Sequence, residues 1–557
     1  MRTGPAAGLR TRKRQNGMAG TDGAKDGAGS GVGPESRDMA SRGTEPSAEK
    51  GMVIRMEKPM QYNSTRDNAV QVTAAQAIVR GLSEEGGLFV PQSLPQLSRE
   101  DIAALAALPY AQRAERILSL FLGDFTPEEV ADCAARAYTA ERFRSEAIAP
   151  LHELREGVHI LELWHGPTCA FKDMALQILP HLMRVSAAKA SGGRDIVILV
   201  ATSGDTGKAA LEGFKDAPHT QILVFYPQDG VSPMQKLQMT TQEGENVAVC
   251  AIRGNFDDAQ TGVKKLFTDP AAAARLAAHG KMFSSANSIN WGRLVPQIVY
   301  YVSAYADLLK AGKIRMGDPV NVVVPTGNFG NILAAYYAKC MGVPLGRLIC
   351  ASNRNRVLTD FIRTGTYNRN RAFYTTTSPS MDILISSNLE RLLYHLSGRD
   401  DRLVDGLMRQ LKEKGEYTVP AALKAELDQL FYAGCCDDAQ TAATIAEVFA
   451  QQQYLCDTHT AVGVHVYEQY RRETGDTTPT VIASTANPYK FSASVLEALG
   501  GSQAGDEFDK VEQLHRLTGC AVPAPLAGLK GRQPRFTEVC DREDMEQAMV
   551  RLLQLDD

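Results

Sequence analysis

The stretch His165-Gly166-Pro167-Thr168-Cys169-Ala170-Phe171-Lys172-Asp173 sets one lysine behind an apolar pair, at the start of a run with helical spacing from Asp173 to Met183. An ammonium group is strongly hydrated, so apolar surroundings lower its pKa and make the amine a usable nucleophile. A lysine that condenses with a carbonyl needs that property. Most lysines are solvated, and the motif alone also fits an ordinary helix start. Three polar turns elsewhere in the chain change the reading.

Each turn follows a short apolar run of the kind that forms a buried parallel strand. Thr202-Ser203-Gly204-Asp205-Thr206-Gly207 follows Ile196 to Ala201 and precedes a helical pattern from Lys208 to Ala217, so backbone N–H groups and hydroxyls are offered to an anion. Lys208 invites a P-loop reading, but Thr202 stands where the first glycine is required and Ala209 where Ser or Thr is required. Gly327-Asn328-Phe329-Gly330-Asn331 lies between the strand pattern Val320 to Pro325 and a helical run from Ile332 to Met341. Its glycines allow close backbone approach and the helix start favours negative charge, although the dinucleotide spacing is absent. Ser484-Thr485-Ala486-Asn487-Pro488-Tyr489-Lys490-Phe491 follows Val481 to Ala483, and a hydroxyl there can bond a heteroaromatic nitrogen without bringing a formal charge. Any one of these also fits a plain turn. Together they are the parts of a pyridoxal phosphate site, with the phosphate on Gly327, Asn328, Phe329, Gly330 and Asn331, and Thr485 facing the pyridine nitrogen. Lys172 is then the catalytic, cofactor-bearing amine.

In this combination the chain resembles the threonine synthase family of the fold type II, tryptophan synthase β-like, pyridoxal phosphate enzymes. The lysine block matches almost letter for letter, and the three turns match the family's other site segments. Ser285-Ala286-Asn287-Ser288-Ile289-Asn290-Trp291-Gly292-Arg293 and Ser378-Pro379-Ser380-Met381-Asp382-Ile383 do so too. Near the start, Tyr62-Asn63-Ser64-Thr65-Arg66 and Glu85-Gly86-Gly87-Leu88-Phe89-Val90-Pro91 are similar to the family's N-terminal region; Asp67 departs from the glycine of its Ser-Thr-Arg-Gly segment.

The resemblance runs from about Met60 to the C-terminus. It implies conversion of O-phospho-L-homoserine and water to L-threonine and phosphate, with Lys172 moving protons at Cα and Cβ. Ser203, Gly204 and Thr206 then take the substrate carboxylate. Ser285, Asn287, Ser288, Asn290 and Arg293 become donors to the leaving phosphate, with Arg293 suited to a bidentate oxyanion. Asp205 occupies a position where related enzymes often carry asparagine near the cofactor's ring oxygen. His165 is expected to pack or to support a neighbour. A phospholyase releasing 2-oxobutyrate and ammonia would share the lysine and the phosphate donors. A non-catalytic anion- or nucleotide-binding module would share the turns alone.

Composition agrees with a globular enzyme. The chain has 557 residues, 44% hydrophobic and 22% charged, enough for two or three domains. A net charge of -4 argues against a dedicated nucleic-acid binder, and no apolar run reaches membrane-spanning length. The 10 cysteines are scattered without zinc-like spacing, so no metal site is expected and the thiols read as reduced and packed, as in cytoplasm. The expectation is a cytoplasmic monomer or homodimer acting on a small molecule. Residues 1–55 are too polar and glycine-rich to offset their ordering entropy and are expected to be a disordered extension arising from an over-extended start.

The remaining organisation reads as a mainly helical N-terminal domain over 56–150, a doubly wound, mostly parallel α/β core over 151–352, a mainly helical elaboration over 353–457, and a return to the core over 458–557.

Overall fold

The computed structural model describes residues 59–555 apart from Ser203 and Gly230. The expected extension 1–55 and the candidate Ser203 therefore lie outside the described residues.

Two sheets carry the fold. One has five strands, in the order Val539–Asp541, Val247–Arg253, Thr220–Pro227, Asp195–Ala201 and Lys281–Ser285, all parallel. The other has six, in the order Phe431–Cys435, Leu345–Ser352, Val320–Pro325, Thr480–Ser484, Val158–Glu162 and Leu151–Arg155. Only its last pair is antiparallel. The central strands are buried on both faces. That explains why they read as unbroken Val/Ile/Leu runs rather than alternating ones. Parallel strands bring their carboxyl ends to one edge, where ligands sit in open α/β sheets. Among the described residues no helix is long and apolar enough to cross a membrane, and no cluster of His, Cys, Asp or Glu could hold a metal ion.

Several elements differ from the sequence reading. The helix expected from Asp173 to Met183 is two helices, Asp173–Leu176 and Leu179–Ala190. Pro180 has no N–H for the carbonyl of Leu176. That freed carbonyl faces Gly213, where any side chain would collide with it. The N-terminal region is not helical throughout: Gln71–Thr73, Gln61–Ser64 and Phe89–Pro91 form an antiparallel three-stranded sheet. Arg66 closes this region with a two-pronged pair to Glu390 at 2.9 and 2.8 Å, and Asp67 fits its turn by accepting from Ala69 N at 2.9 Å. Within 353–457, the strand Phe431–Cys435 forms the edge of the six-stranded sheet, although the stretch reads as helical. Its pattern was hidden because a single short edge strand interrupts long charged helices.

Candidate active site

Three neighbouring strands of the six-stranded sheet deliver one half of the site. The loop after Val158–Glu162 carries Lys172, the turn after Val320–Pro325 carries Gly327 to Asn331, and the turn after Thr480–Ser484 carries Thr485. The lysine loop is stitched to the last of these. Phe171 N donates to Thr485 O at 2.8 Å and Asn487 N to Cys169 O at 3.0 Å. Asp173 holds the loop from inside, accepting from Thr168 N and Thr168 Oγ1, both at 2.8 Å. Burial pushes its carboxyl up to about 6. Cys169 adopts φ +60° and is fully buried. Burial pushes its thiol up to about 11, so it is protonated and unsuited to attack.

Two neighbouring strands of the other sheet deliver the second half. The helix Asp205–Phe214 starts after Asp195–Ala201, and the helix Trp291–Lys310 starts just beyond Lys281–Ser285. Gly204 (φ +135°) must be glycine here, since a Cβ would meet the Gln235 side chain at 2.5 Å.

A single cavity between these halves is lined by Lys172, Thr206, Asn287, Ser288, Arg293, Gly327, Asn328, Phe329, Gly330, Asn331 and Thr485. The sequence-derived candidates therefore converge, with exceptions. Gly204 and Asp205 lie behind the lining. Asn290 is fully buried; it caps the helix Trp291–Lys310 by accepting from Gly292 N at 2.8 Å and donates to Ile78 O and Ser285 O at 2.9 and 2.8 Å. Ser285 Oγ accepts from Asn287 N at 3.1 Å. Neither Ser285 nor Asn290 lines the cavity; the Ser285 hydroxyl and the Asn290 amide bond the loop and the helix start.

The electrostatics are uneven. Lys172 is nearly buried, 3.5 Å from Asp205 Oδ2. Burial lowers its amine to about 8; Asp205 opposes this, and Arg293 and Lys490 add to it. Arg293 is not the surface charge its helical position allowed: it is 5% exposed and donates to Ala286 O at 2.8 Å and Thr206 Oγ1 at 3.4 Å. Burial draws its guanidinium down to about 10, which leaves it charged at neutral pH. Among the described residues no carboxylate pairs with it. A buried, uncompensated cation at a cavity wall is costly unless an anion completes it.

The turn Gly327 to Asn331 fits the phosphate of pyridoxal phosphate. Its helix, Gly330–Cys340, opens on the cavity, and Phe329 holds φ +64°, a strained conformation for a side chain of its size. Asn331 Oδ1 accepts from Tyr300 and Tyr301 hydroxyls at 2.6 and 2.5 Å, while its Nδ2 is buried without a partner. An orphaned donor on a cavity wall is what an anionic oxygen would satisfy.

Some groups at the site were not singled out by the sequence reading. Lys490, in the Asn-Pro-Tyr-Lys-Phe segment, pairs with Asp205 Oδ1 at 2.9 Å. Ser380 Oγ donates to Asp205 Oδ2 at 3.2 Å, and its N–H donates to His459 Nε2 at 3.2 Å. His459 also lines the cavity. The motif around Ser378 to Ile383 could have suggested Ser380; His459, inside a helix, offered nothing. His165 lies outside the cavity, stacked on Trp164 and bonded to Glu162 Oε2 at 2.8 Å, which is a supporting place.

Known proteins bear on this arrangement. Family models match in order: Threonine synthase N terminus over residues 61–138, Pyridoxal-phosphate dependent enzyme over 142–485, and Threonine synthase, C-terminal over 460–550. The threonine synthase of Pseudomonas aeruginosa is 39% identical over 497 residues, covering 88% of this chain and 98% of its own length. Threonine synthase-like 1 of Homo sapiens is 41% identical over 435 residues, which take in 76% of this chain. The chain spans only 58% of that relative's length. Among solved structures, PLP-bound threonine synthase from Brucella melitensis aligns with a TM-score of 0.78 at 38% identity, covering 89% of this chain and 99% of that one. Yeast threonine synthase gives a TM-score of 0.78 at 32% identity, covering 89% and 98%. With the matched segments spanning both sheets and the cavity between them, the chain belongs to the threonine synthase family of pyridoxal-phosphate dependent enzymes.

Proposed function

We propose that this protein converts O-phospho-L-homoserine and water to L-threonine and phosphate, using pyridoxal phosphate held on Lys172. One observation carries the reading. Lys172 with its lowered pKa, Asn331 with a partnerless amide nitrogen and Arg293 with no carboxylate partner among the described residues all line one cavity. A doubly anionic substrate and an anionic cofactor arm need that many separate donors.

Pyridoxal phosphate, when bound, supplies a carbonyl carbon for amines and a conjugated ring that accepts charge developing at the substrate's α-carbon. The rest falls to the chain's own groups. Asn331 Nδ2 and the backbone of Gly327 to Gly330 bind the cofactor phosphate, and the Thr485 hydroxyl meets the ring nitrogen. Arg293 takes the substrate's phosphate with Asn287 and Ser288, as a charge-assisted donor in a nearly dry wall. Thr206 takes the carboxylate. Lys172 would remove the proton at Cα and then one at Cβ; the Cγ–O bond to phosphate breaks as the Cβ–Cγ double bond forms, a proton returns at Cγ, water adds its oxygen at Cβ and gives up a proton, and Lys172 returns a proton at Cα. Its lowered pKa suits both tasks near neutral pH.

The test is a product assay on the purified full chain supplied with pyridoxal phosphate and O-phospho-L-homoserine. L-Threonine and phosphate are expected in equal amounts, and Lys172→Ala should lose about a thousandfold or more of the rate. Phosphate accompanied by 2-oxobutyrate and ammonia would replace the synthase with a phospholyase. A chain that bound the cofactor without consuming substrate would sink both.

A further inference from the structure

Asp205 sits between two lysines that are held differently. Lys490 has no exposed surface, and its ammonium has three acceptors: Asp205 Oδ1 at 2.9 Å, Thr168 O at 2.9 Å and Gln238 Oε1 at 3.0 Å. All three of its N–H bonds are thereby used. Lys172 stands 3.5 Å from the other oxygen, Oδ2, which already accepts from Ser380 Oγ at 3.2 Å. Gln235 Nε2 adds a bond to Oδ1 at 2.9 Å. Three donors therefore engage the carboxylate before Lys172 is considered, two on Oδ1 and one on Oδ2.

This matters because a buried carboxylate beside a lone lysine would keep that lysine protonated. A protonated amine can neither condense with a carbonyl nor remove a proton. We propose that Lys490 is a positioning residue: it captures the charge of Asp205, so that Asp205 can orient Lys172 without trapping it as an ammonium. The proposal rests on the reading of Lys172 as the reactive amine. The charged and titratable groups around Lys172 are Asp205 at the start of its helix, Lys490 beyond the strand Thr480–Ser484, Arg293 on the helix Trp291–Lys310, the neighbouring Asp173, and His459 across the cavity. Asp205 supports the same picture: burial works against its charge, yet Lys490 first and Lys172 second hold its carboxyl well below the usual range. Removing Lys490 would leave Lys172 as the only lysine on that carboxylate.

The test reads Lys172 without turnover. The full chain, stripped of cofactor, is exposed to cyanate, which carbamylates only neutral amines, and modification at Lys172 is followed by peptide mass spectrometry from pH 6.5 to 10. In Lys490→Met the labelling rate at pH 7.5 should fall about tenfold or more, with the midpoint of the profile moved to higher pH. Lys490→Arg, which keeps the charge, should stay within about threefold of the parent. The double variant Lys490→Met, Asp205→Asn removes the pair together and should also return to within about threefold. A merely structural Lys490 would lower activity without moving the midpoint, and that result would overturn the proposal. If Lys490→Met does not fold, the double variant decides: labelling at pH 6.5 raised about tenfold above the parent would mean that Asp205 acts on Lys172 unscreened, and the proposal fails. Loss of turnover in Lys172→Ala tests the underlying reading separately.

Discussion

The two halves of the cavity grip their ligands by different means. The half built on the six-stranded sheet offers a turn, a hydroxyl and a side-chain amide: Gly327 to Asn331, Thr485 and the unpartnered Nδ2 of Asn331. Apart from Lys172 its donors are neutral. The half built on the five-stranded sheet offers Arg293, buried with no carboxylate to offset it, beside Thr206, Asn287 and Ser288. Neutral donors at a helix start suit a group that stays bound, because they need no counter-charge when empty. An uncompensated cation suits a group that comes and goes with its own charge. On the proposed function, the contrast fits the resident cofactor to the first half and the turning-over substrate to the second.

Substitution on the charged side should show the largest effect. Arg293→Ala removes the cation and its bonds to Ala286 O and Thr206 Oγ1. A charge-assisted bond contributes about 1.5–3 kcal/mol, so kcat/KM for O-phospho-L-homoserine should fall roughly a hundredfold while cofactor content stays unchanged. Arg293→Lys should recover only part of this, since a point charge cannot replace a planar fork. If cofactor content fell instead, the assignment of halves would be reversed.

The neutral side should answer in the opposite way. A Cβ at Gly327 would meet the carbonyl oxygen of Ser380 at 2.9 Å, and backbone cannot swing aside as a side chain can. Overpacking of this kind costs about 1–3 kcal/mol. Gly327→Ala should therefore weaken pyridoxal phosphate binding roughly thirtyfold, measured by equilibrium dialysis, with kcat preserved once cofactor is saturating. A fall in kcat at full occupancy would mean that this turn also touches the reacting groups.

How much of this was legible in the sequence also divides along the two halves. The neutral half is made of contiguous motifs, so Lys172, Gly327 to Asn331 and Thr485 could be read from the combination of a lysine block with polar turns at strand ends, and they meet in one cavity. The charged half was only partly legible. Ser285 and Asn290 belong to the right segment, yet a five-residue loop between strand and helix gives no sign of which polar groups turn inward and which cap the helix behind it. Lys490 was visible as a letter in a motif, but its pairing joins residues 205 and 490 across two sheets, a separation no local pattern encodes. The central strands Asp195–Ala201, Val320–Pro325 and Thr480–Ser484 were readable as double-sided apolar runs. The edge strand Phe431–Cys435 was not, because its pairing is made by a distant element, whereas the break near Pro180 follows from a proline inside the expected helix.

Lys172 stands on the boundary between the halves, and its titration measures how strongly each pulls. Burial comes first and lowers the amine to about 8; Arg293, from the charged side, pushes the same way, with Lys490, while Asp205 pulls back. Only the neutral amine can take up the cofactor's carbonyl, so uptake should follow the neutral fraction: about a tenth at pH 7, half near pH 8 and nine-tenths at pH 9. The second-order rate of pyridoxal phosphate uptake by the stripped chain, followed by absorbance, should rise roughly tenfold across that window and then level. An ordinary solvated lysine, at about 10.4, would keep gaining beyond pH 10, so a profile with no plateau would mean that the wall around Lys172 is wet. In Arg293→Ala the plateau should begin at higher pH, because one of the cations repelling the ammonium is gone. That shift is smaller than the loss of substrate binding, and it reports on the charged half with no substrate present.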